Sequence, residues 1–386
     1  MRSPPTNAKE RGTVEFWSSV EYATFQQGLV CELGLAGWRA EHRYEVSQAD
    51  YWQARSWLAR LWLRTATYAV YPLRLGARFS GELHLQVGVV CTNTFYAPWL
   101  AVLLAGRRGP AIVHWVFDLF PDVLILADTL RPGSWRERAL RRLVRRTFDR
   151  AAVNVFLGER LRYFAEAQFG PISRSVVIPV GCDARPFENN PPVACVAGQP
   201  IRVLYCGNMG RMHEVETLVA ALRPELPSVL EFNFHGNGAG FRQLEIAVGE
   251  RNLGARVKVG GNLSEADWVR AMSAADVALV TMKPGAEGVV MPSKTYSALA
   301  AGQAVVAICP EASDLADTIR THECGWVVAP GDANGLARLL ADIARQPEEL
   351  LRRRQNAWQA GQHVFDQRVL AKAWIAVLES ARKAKQ

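Results

Sequence analysis

The stretch that most constrains this chain is residues 281–308, TMKPGAEGVVMPSKTYSALAAGQAVVAI. It predicts a loop, a helix and a buried strand, in that order. Pro284, Gly285 and Gly288 make the loop. Pro292 suits a first helical position, where its missing N–H costs nothing. The helix over 293–301 is rich in small residues (Ser297, Ala298, Ala300, Ala301), so another element can pack closely on it. Gly302 is placed to cap it in the left-handed conformation. Ala304–Ile308 is an uninterrupted apolar run, the pattern of a parallel strand covered on both faces. A glycine-bearing loop entering a helix presents free backbone N–H groups and the positive end of the dipole. Lys294 adds a mobile cation in the first turn. On physics alone this is a phosphate-site candidate of a kind that many α/β proteins carry.

A chain of 386 residues suits two domains, and 49% apolar with 21% charged residues describes a soluble globular protein. No run of eighteen apolar residues occurs, so no membrane-crossing segment is expected. The N-terminal MRSPPTNAKERG lacks an apolar signal core and reads as a disordered tail. Seven cysteines are scattered singly with no C-x-x-C pair. That fits a reducing cytoplasm and argues against a disulfide framework or a zinc site. There is no D-x-D carboxylate pair for a metal, and no cofactor is implied. Residues 1–190 carry 24 Arg and Lys against 17 Asp and Glu, so nearly all of the net charge of +8 sits on the first half. That half is expected to face something negative.

The first half predicts a short strand over 14–18 and a helix over 24–35. Residues 51–70, YWQARSWLARLWLRTATYAV, read as one helix. Gln53, Arg60, Arg64 and Thr67 share its narrow polar face, and Trp52, Trp57, Trp62, Leu58, Leu61 and Leu63 fill most of the rest, with Arg55 on the apolar side. Such a helix is either deeply buried or lies in the interface of an anionic membrane. Strands over 82–90 and 111–117 flank a helix over 98–104. They run into Cys91-Thr92-Asn93-Thr94 and Asp118-Leu119-Phe120-Pro121-Asp122, loops at the carboxyl ends of parallel strands, where open α/β sheets place ligands. Asp118 serves equally well as a buried or turn-capping carboxylate. Residues 134–150 form an amphipathic helix with Arg136, Arg138, Arg141, Arg142, Arg145 and Arg146 opposite its apolar side. That face is either solvated or reads phospholipid head groups or a lipid diphosphate. No recognisable nucleic-acid module accompanies it, so no nucleic-acid partner is expected. A strand over 153–157, a helix over 160–168 and a strand over 176–180 follow. The Pro, Asn and Gly content of 187–200 marks a linker.

Beyond the linker the α/β pattern restarts. A strand over 202–206 enters the turn Gly207-Asn208-Met209-Gly210-Arg211 and a helix over 214–222. Arg211 stands where an arginine could fork onto a diphosphate, and His213 serves as a cap or a packing residue. A strand over 229–234 ends in His235-Gly236-Asn237-Gly238, whose glycines would let a ligand approach the backbone. A strand over 257–259 leads to Gly260-Gly261-Asn262-Leu263. Residues 275–280 form a buried strand, and 349–386 read as terminal helices.

The run E-G-V-V-M-P-S-K-x-Y-x-x-L-A-x-G resembles the donor-binding segment of the family-4 glycosyltransferases, above all the bacterial branch that builds surface polysaccharides. D-L-F-P-D, I-P-V-G-C-D, Y-C-G-N-M-G-R-M-H and the turn ending in G-N-G resemble further motifs of that family, and Y-C-G-N-M-G-R-M-H precedes the donor run as it does there. Two departures stand out. Asp118 occupies a strand end where several members carry a histidine, and Ser297 falls where many carry the second of two glutamates. The resemblance implies the α/β GT-B fold, with two Rossmann-like domains facing a cleft. They would be an acceptor-binding domain over 1–186 and a nucleotide-sugar-binding domain over 199–350, joined by a linker over 187–198, with helices over 351–386 crossing back. It implies a retaining, metal-independent glycosyltransferase using a nucleotide-diphospho-sugar. Arg211, Lys294 and the helix start at Pro292 and Ser293 would stabilise the departing diphosphate, and Glu287 would contact the donor sugar. Gly207, Asn208, Gly210, Gly236, Gly238, Asn262 and Leu263 would line the donor. Asp118, with Asn93 and Thr94, would lie near the acceptor. With the basic, tryptophan-rich first half, this points to a lipid-linked or hydrophobic acceptor and an anionic membrane surface, at the cytoplasmic face of the cell membrane. A nucleotide-sugar epimerase of the same fold and a non-catalytic partner of an assembly complex are the rival readings.

Overall fold

The computed structural model describes residues 11–21, 23–53, 56–80, 85–194 and 198–385, with the backbone alone at 23–25, 52–53 and 80. The expected tail up to residue 10, Arg55, the start of the strand over 82–90 and part of the linker lie outside the described residues. So do the side chains of Trp52 and Gln53.

Strands β1 (Gly12–Val20), β2 (Trp38–Val46), β3 (Val87–Cys91), β4 (Ala111–Val116), β5 (Val153–Phe156) and β6 (Ser175–Val177) form one parallel sheet in the order β2-β1-β3-β4-β5-β6. Neighbouring aromatics in β1 show how it is covered, because successive side chains point to opposite faces. Phe16 packs on Trp115 and Trp374, with ring centroids 6.0 and 5.6 Å away. Trp17 turns the other way, onto Tyr71 and Phe79. Trp374 belongs to the C-terminal helix Gln367–Lys383, which therefore closes one face of this first sheet, beside the helix Ala23–Leu35. On the other face the helices Tyr71–Ser80, Ala97–Ala105 and Trp135–Arg150 lie side by side.

Strands β7 (Ile201–Asn208), β8 (Leu230–Asn237), β9 (Val257–Gly260), β10 (Val277–Thr281), β11 (Ala304–Ile308) and β12 (Gly325–Val328) form a second parallel sheet, ordered β12-β11-β10-β7-β8-β9. β10 and β11 are buried along their whole length and pair in register from Val277↔Ala304 to Thr281↔Ile308, as their apolar runs require. The small-residue helix is Lys294–Ala300, and the element that exploits it is the helix Pro347–His363. Gly361 lies so close that a Cβ there would sit 2.4 Å from the Ala300 amide nitrogen. Gly302 follows the helix with φ +69°.

The described residues up to Val180, with Gly288–Val290 and those from Gln367 on, form one compact unit; Gly181–Glu287 and Met291–Asp366 form the other. Several expectations change. β2 was not foreseen. Residues 51–70 are not one helix: Gln48–Gln53 ends, and Ser56 caps a new helix, Trp57–Thr65, by accepting the Ala59 N–H. A π-helical turn, Ala66–Val70, then leads into Tyr71–Ser80. Pro72 explains that turn. It has no N–H to offer and its ring crowds the carbonyl four residues back. Of the terminal helices only Gln367–Lys383 joins the first unit, because Pro347–His363 is held on the second by its close packing. Pro292 lies before the helix N-cap, Ser293, and its carbonyl accepts the Thr295 N–H.

Candidate active site

In the second unit the chain lays down β7, builds β8 and β9 on one side, then returns to build β10, β11 and β12 on the other. The order reverses between β7 and β10, and the carboxyl ends at such a switch point form the crevice where open α/β sheets bind ligands. Tyr205 and Asn208 come to this point from β7, Arg211 and His213 from the turn after it, Thr281 from the end of β10, and Lys294 from the helix beyond the loop. The Lys294 ammonium donates to the Tyr205 hydroxyl at 2.5 Å and to the Asn208 carbonyl at 3.2 Å, and sits 3.9 Å from the centre of the Tyr205 ring. Tyr205 in turn donates to the same carbonyl at 3.0 Å. Both acceptors of the lysine are neutral, and burial pushes its ammonium down to about 7. An anion placed here would restore the full charge, so the lysine is poised to take one.

His213 Nδ1 bonds the Thr281 carbonyl at 2.9 Å, and its ring meets Tyr205 edge-on. Burial first, then the neighbouring Lys294 charge, push it down to about 3, so the imidazole is neutral and acts as a brace between the β7 turn and β10. Arg211 stands exposed on that turn. Glu287 is half-buried, and its Oε2 is buried with no hydrogen-bond partner among the described residues. An orphaned carboxylate oxygen of that kind calls for an explanation, and a ligand hydroxyl would supply one.

The glycines at the strand ends have another explanation than ligand approach. A Cβ on Gly236 would lie 2.0 Å from the Gly207 carbonyl oxygen, and one on Gly238 2.5 Å from that of Met209. The Met209 N–H donates to the Asn237 carbonyl at 2.7 Å, so the loops after β7 and β8 are zipped together, and the glycines are required by each other's backbone. Gly207 faces Lys294, and Gly210 lies against the Asn208 side chain. Ser293 is exposed and makes no side-chain cap. Asn262 and Leu263 follow β9, two strands away from β7, so the structure does not gather them into the Lys294 cluster. Asn262 is exposed and Leu263 half-buried.

In the first unit the order reverses between β1 and β3. Thr92 Oγ1, just past β3, accepts the N–H groups of both Phe117 and Asp118 at 3.0 Å and so fixes the exit of β4. Asp118 lines a small cleft with Thr92, Phe95, His114, Phe120 and Phe148. Burial raises its carboxyl to about 6. His114 bonds Asn154 Oδ1 at 3.1 Å and is pushed down to about 4 by burial, while Asn154 Nδ2 donates to the Phe148 carbonyl. Both amide atoms of Asn93 are buried without a partner among the described residues. Thr94, by contrast, is fully buried and its hydroxyl donates to the Thr67 carbonyl at 3.0 Å, which pins the loop.

Sequence reasoning missed Tyr205, Thr281, Thr92, His114 and Asn154. The signal was there for two of them. Tyr205 and His114 interrupt apolar strands with groups that need a polar partner when buried.

Residues 187–360 match the family described as Glycosyl transferases group 1, and residues 21–181 match the Glycosyl transferase 4-like domain. Both matches are to glycosyltransferase domains, one in each half of the chain. A probable glycosyltransferase of Pseudomonas aeruginosa, WbjE, is 29% identical over 247 residues, which span 62% of this chain and 62% of that relative, less than two thirds of its length. Among solved structures, sucrose-phosphate synthase of Thermosynechococcus elongatus superposes with a TM-score of 0.75 at 19% identity, over 97% of this chain and 100% of that one. HepE of Anabaena in complex with UDP-glucose superposes at 0.69 and 15% identity, over 95% and 99%. At these identities the likeness is one of fold, and the fold is GT-B-like.

Proposed function

We propose that the transferase moves a sugar from a nucleotide-diphospho-sugar to a lipid-linked or otherwise hydrophobic acceptor, with retention and without a metal, in polysaccharide or glycolipid assembly. The observation that carries this reading is Lys294, a half-buried ammonium resting on the neutral Tyr205 hydroxyl and Asn208 carbonyl at a topological switch point. HepE is captured with UDP and with UDP-glucose, which makes uridine-diphosphate sugars the first donors to test.

Transfer breaks the bond between the anomeric carbon and the β-phosphate oxygen and forms one to the acceptor oxygen, so negative charge gathers on the leaving diphosphate. Lys294 and Arg211 would stabilise that charge as it develops, through donors already in place. Glu287 would accept from sugar hydroxyls through its unpartnered oxygen. In the first unit, Asp118 and Asn93 would receive the acceptor's polar head beside the aromatic cleft. The excess of positive charge on that half would favour an anionic membrane surface at the cytoplasmic face.

The test is incubation with membrane lipid extract and labelled nucleotide sugars. Label should enter the organic phase from one donor and be lost in Lys294→Ala and Arg211→Ala. Donor bound but never transferred would favour the epimerase or the non-catalytic partner, and no binding of any nucleotide sugar would refute the reading.

A further inference from the structure

We infer that the helix Trp57–Thr65 is the element that seats the first unit on an anionic phospholipid bilayer, an inference that rests on the lipid-acceptor reading and names the surface that serves it. No residue of this helix is buried. Trp57, Leu58, Leu61 and Trp62 are 71%, 59%, 54% and 53% exposed, so four large apolar side chains face water on a nine-residue helix. Folding does not explain them, because a helix that serves a core turns its apolar arc inward. At 3.6 residues per turn these four span an arc of about 140°. Ala59 and Leu63, half-buried, mark the opposite, inward side. Arg60 and Arg64, both exposed, line one border of the apolar arc.

This arrangement fits lipid better than a protein groove. Tryptophan rings and arginine stems side by side match the boundary between head groups and acyl chains, with the guanidinium groups reaching phosphates. Nine residues extend about 14 Å, under half of a bilayer's hydrocarbon core, so the helix would lie in the plane of the membrane. Exposed apolar surface continues beyond it at Tyr68 and Leu73. The first half of the chain also carries nearly all of the net positive charge.

The base of the helix shows what the seating serves. In the turn Ala66–Val70 the Tyr71 N–H reaches back to the Ala66 carbonyl, which leaves the Thr67 carbonyl out of the helical ladder. Pro72 cannot bond to it. The Thr94 hydroxyl takes the Thr67 carbonyl and the Tyr96 hydroxyl takes that of Tyr68. The exposed helix is thus tied to the loop leaving β3, the loop that carries Asn93. An acceptor whose tail lies in the bilayer would present its head to that loop.

The experiment sediments the full chain with vesicles of phosphatidylcholine alone or mixed with phosphatidylglycerol. Wild type should bind the mixed vesicles and leave the neutral ones. A triple variant, Trp57→Ser, Leu61→Ser and Trp62→Ser, should bind them about tenfold more weakly or not at all. These side chains are exposed, so its thermal midpoint and its affinity for UDP should match wild type. KM for a lipid-linked acceptor should rise, with donor hydrolysis unchanged. Arg60→Gln with Arg64→Gln should weaken binding several-fold, more so as salt falls. Undiminished vesicle binding by the triple variant would overturn the inference. So would equal binding of neutral vesicles, or a wild-type dimer that the triple variant separates. Vesicle binding by a protein that takes no nucleotide sugar would defeat the transferase reading and leave the docking surface standing. Transfer to a soluble acceptor without vesicle binding would do the reverse.

Discussion

The two units share a plan, a six-stranded parallel sheet whose order reverses beside its first strand, yet they treat their strand ends differently. In the second unit the loops after β7 and β8 lock backbone to backbone, His213 braces the β7 turn to β10, and Lys294 rests on Tyr205 and Asn208. In the first unit the loop after β3 leaves both amide atoms of Asn93 unpartnered among the described residues, burial raises the Asp118 carboxyl to about 6 in a small aromatic cleft, and the helix Trp57–Thr65 keeps an apolar arc exposed. The same topology thus yields interlocked strand ends in the second unit and, in the first, strand ends that leave polar groups unpartnered, the division that the proposed donor and acceptor sides would use.

The largest expected effect tests the rigid side. Lys294→Ala should lower kcat/KM by about a hundredfold, roughly 3 kcal/mol of transition-state stabilisation, measured by steady-state transfer. An equal loss from Asp118→Ala would blur the contrast between the two sides. Gly236→Ala should destabilise the second unit by about 2–4 kcal/mol in urea denaturation, because its Cβ would overlap the Gly207 carbonyl at φ +146°. Gly133→Ala, with φ +74° but open space around it, should cost only about 1 kcal/mol.

pH separates the sides next. Burial pushes the Lys294 ammonium down to about 7, and the proposed diphosphate would need it charged. Donor affinity should therefore be flat below that pH and fall by up to about tenfold per unit above it, with proton uptake on binding seen by calorimetry in two buffers. Stability should move the other way. His114 and His213 are held neutral down to about 4 and about 3, so below pH 6.5 the unfolded chain binds more protons. Each should remove up to about 1.4 kcal/mol per pH unit on acidification. The raised carboxyl of Asp118 opposes this between about 4 and 6, because there the folded state binds the extra proton. His114→Gln should flatten the slope of denaturation free energy against pH. The smallest effect belongs to Tyr205→Phe. It keeps the ring under the ammonium, removes the hydroxyl that accepts from Lys294 and donates to the Asn208 carbonyl, and should weaken UDP binding about fivefold, near 1 kcal/mol.

What was legible in the sequence follows the same division. β10, β11 and the small-residue helix between them carry their own local signals, apolar runs and a capping glycine, and they stand where those signals put them. β2 was legible too and was passed over. Trp38, Ala40, His42, Tyr44 and Val46 alternate with Arg39, Glu41, Arg43 and Glu45, the pattern of a charged edge strand. The break at Ser56 was hidden because the apolar period continues across it, and only the cap reveals the new start. The braces on Lys294 could not be read. Tyr205 and Asn208 stand 89 and 86 residues before the lysine and meet it only once the strands are ordered. The reason for Gly236 was likewise a contact with a neighbouring loop, which no local pattern records.

The measurement that tests the central claim most directly is calorimetric titration of UDP-glucose and UDP into the wild type and Lys294→Ala at pH 6.5. The account predicts binding by the wild type and affinity at least tenfold weaker in the variant, about 1.4 kcal/mol, with an unchanged thermal midpoint before ligand is added. Equal affinity in both proteins would contradict it, because the diphosphate would then lie somewhere other than the switch point between β7 and β10.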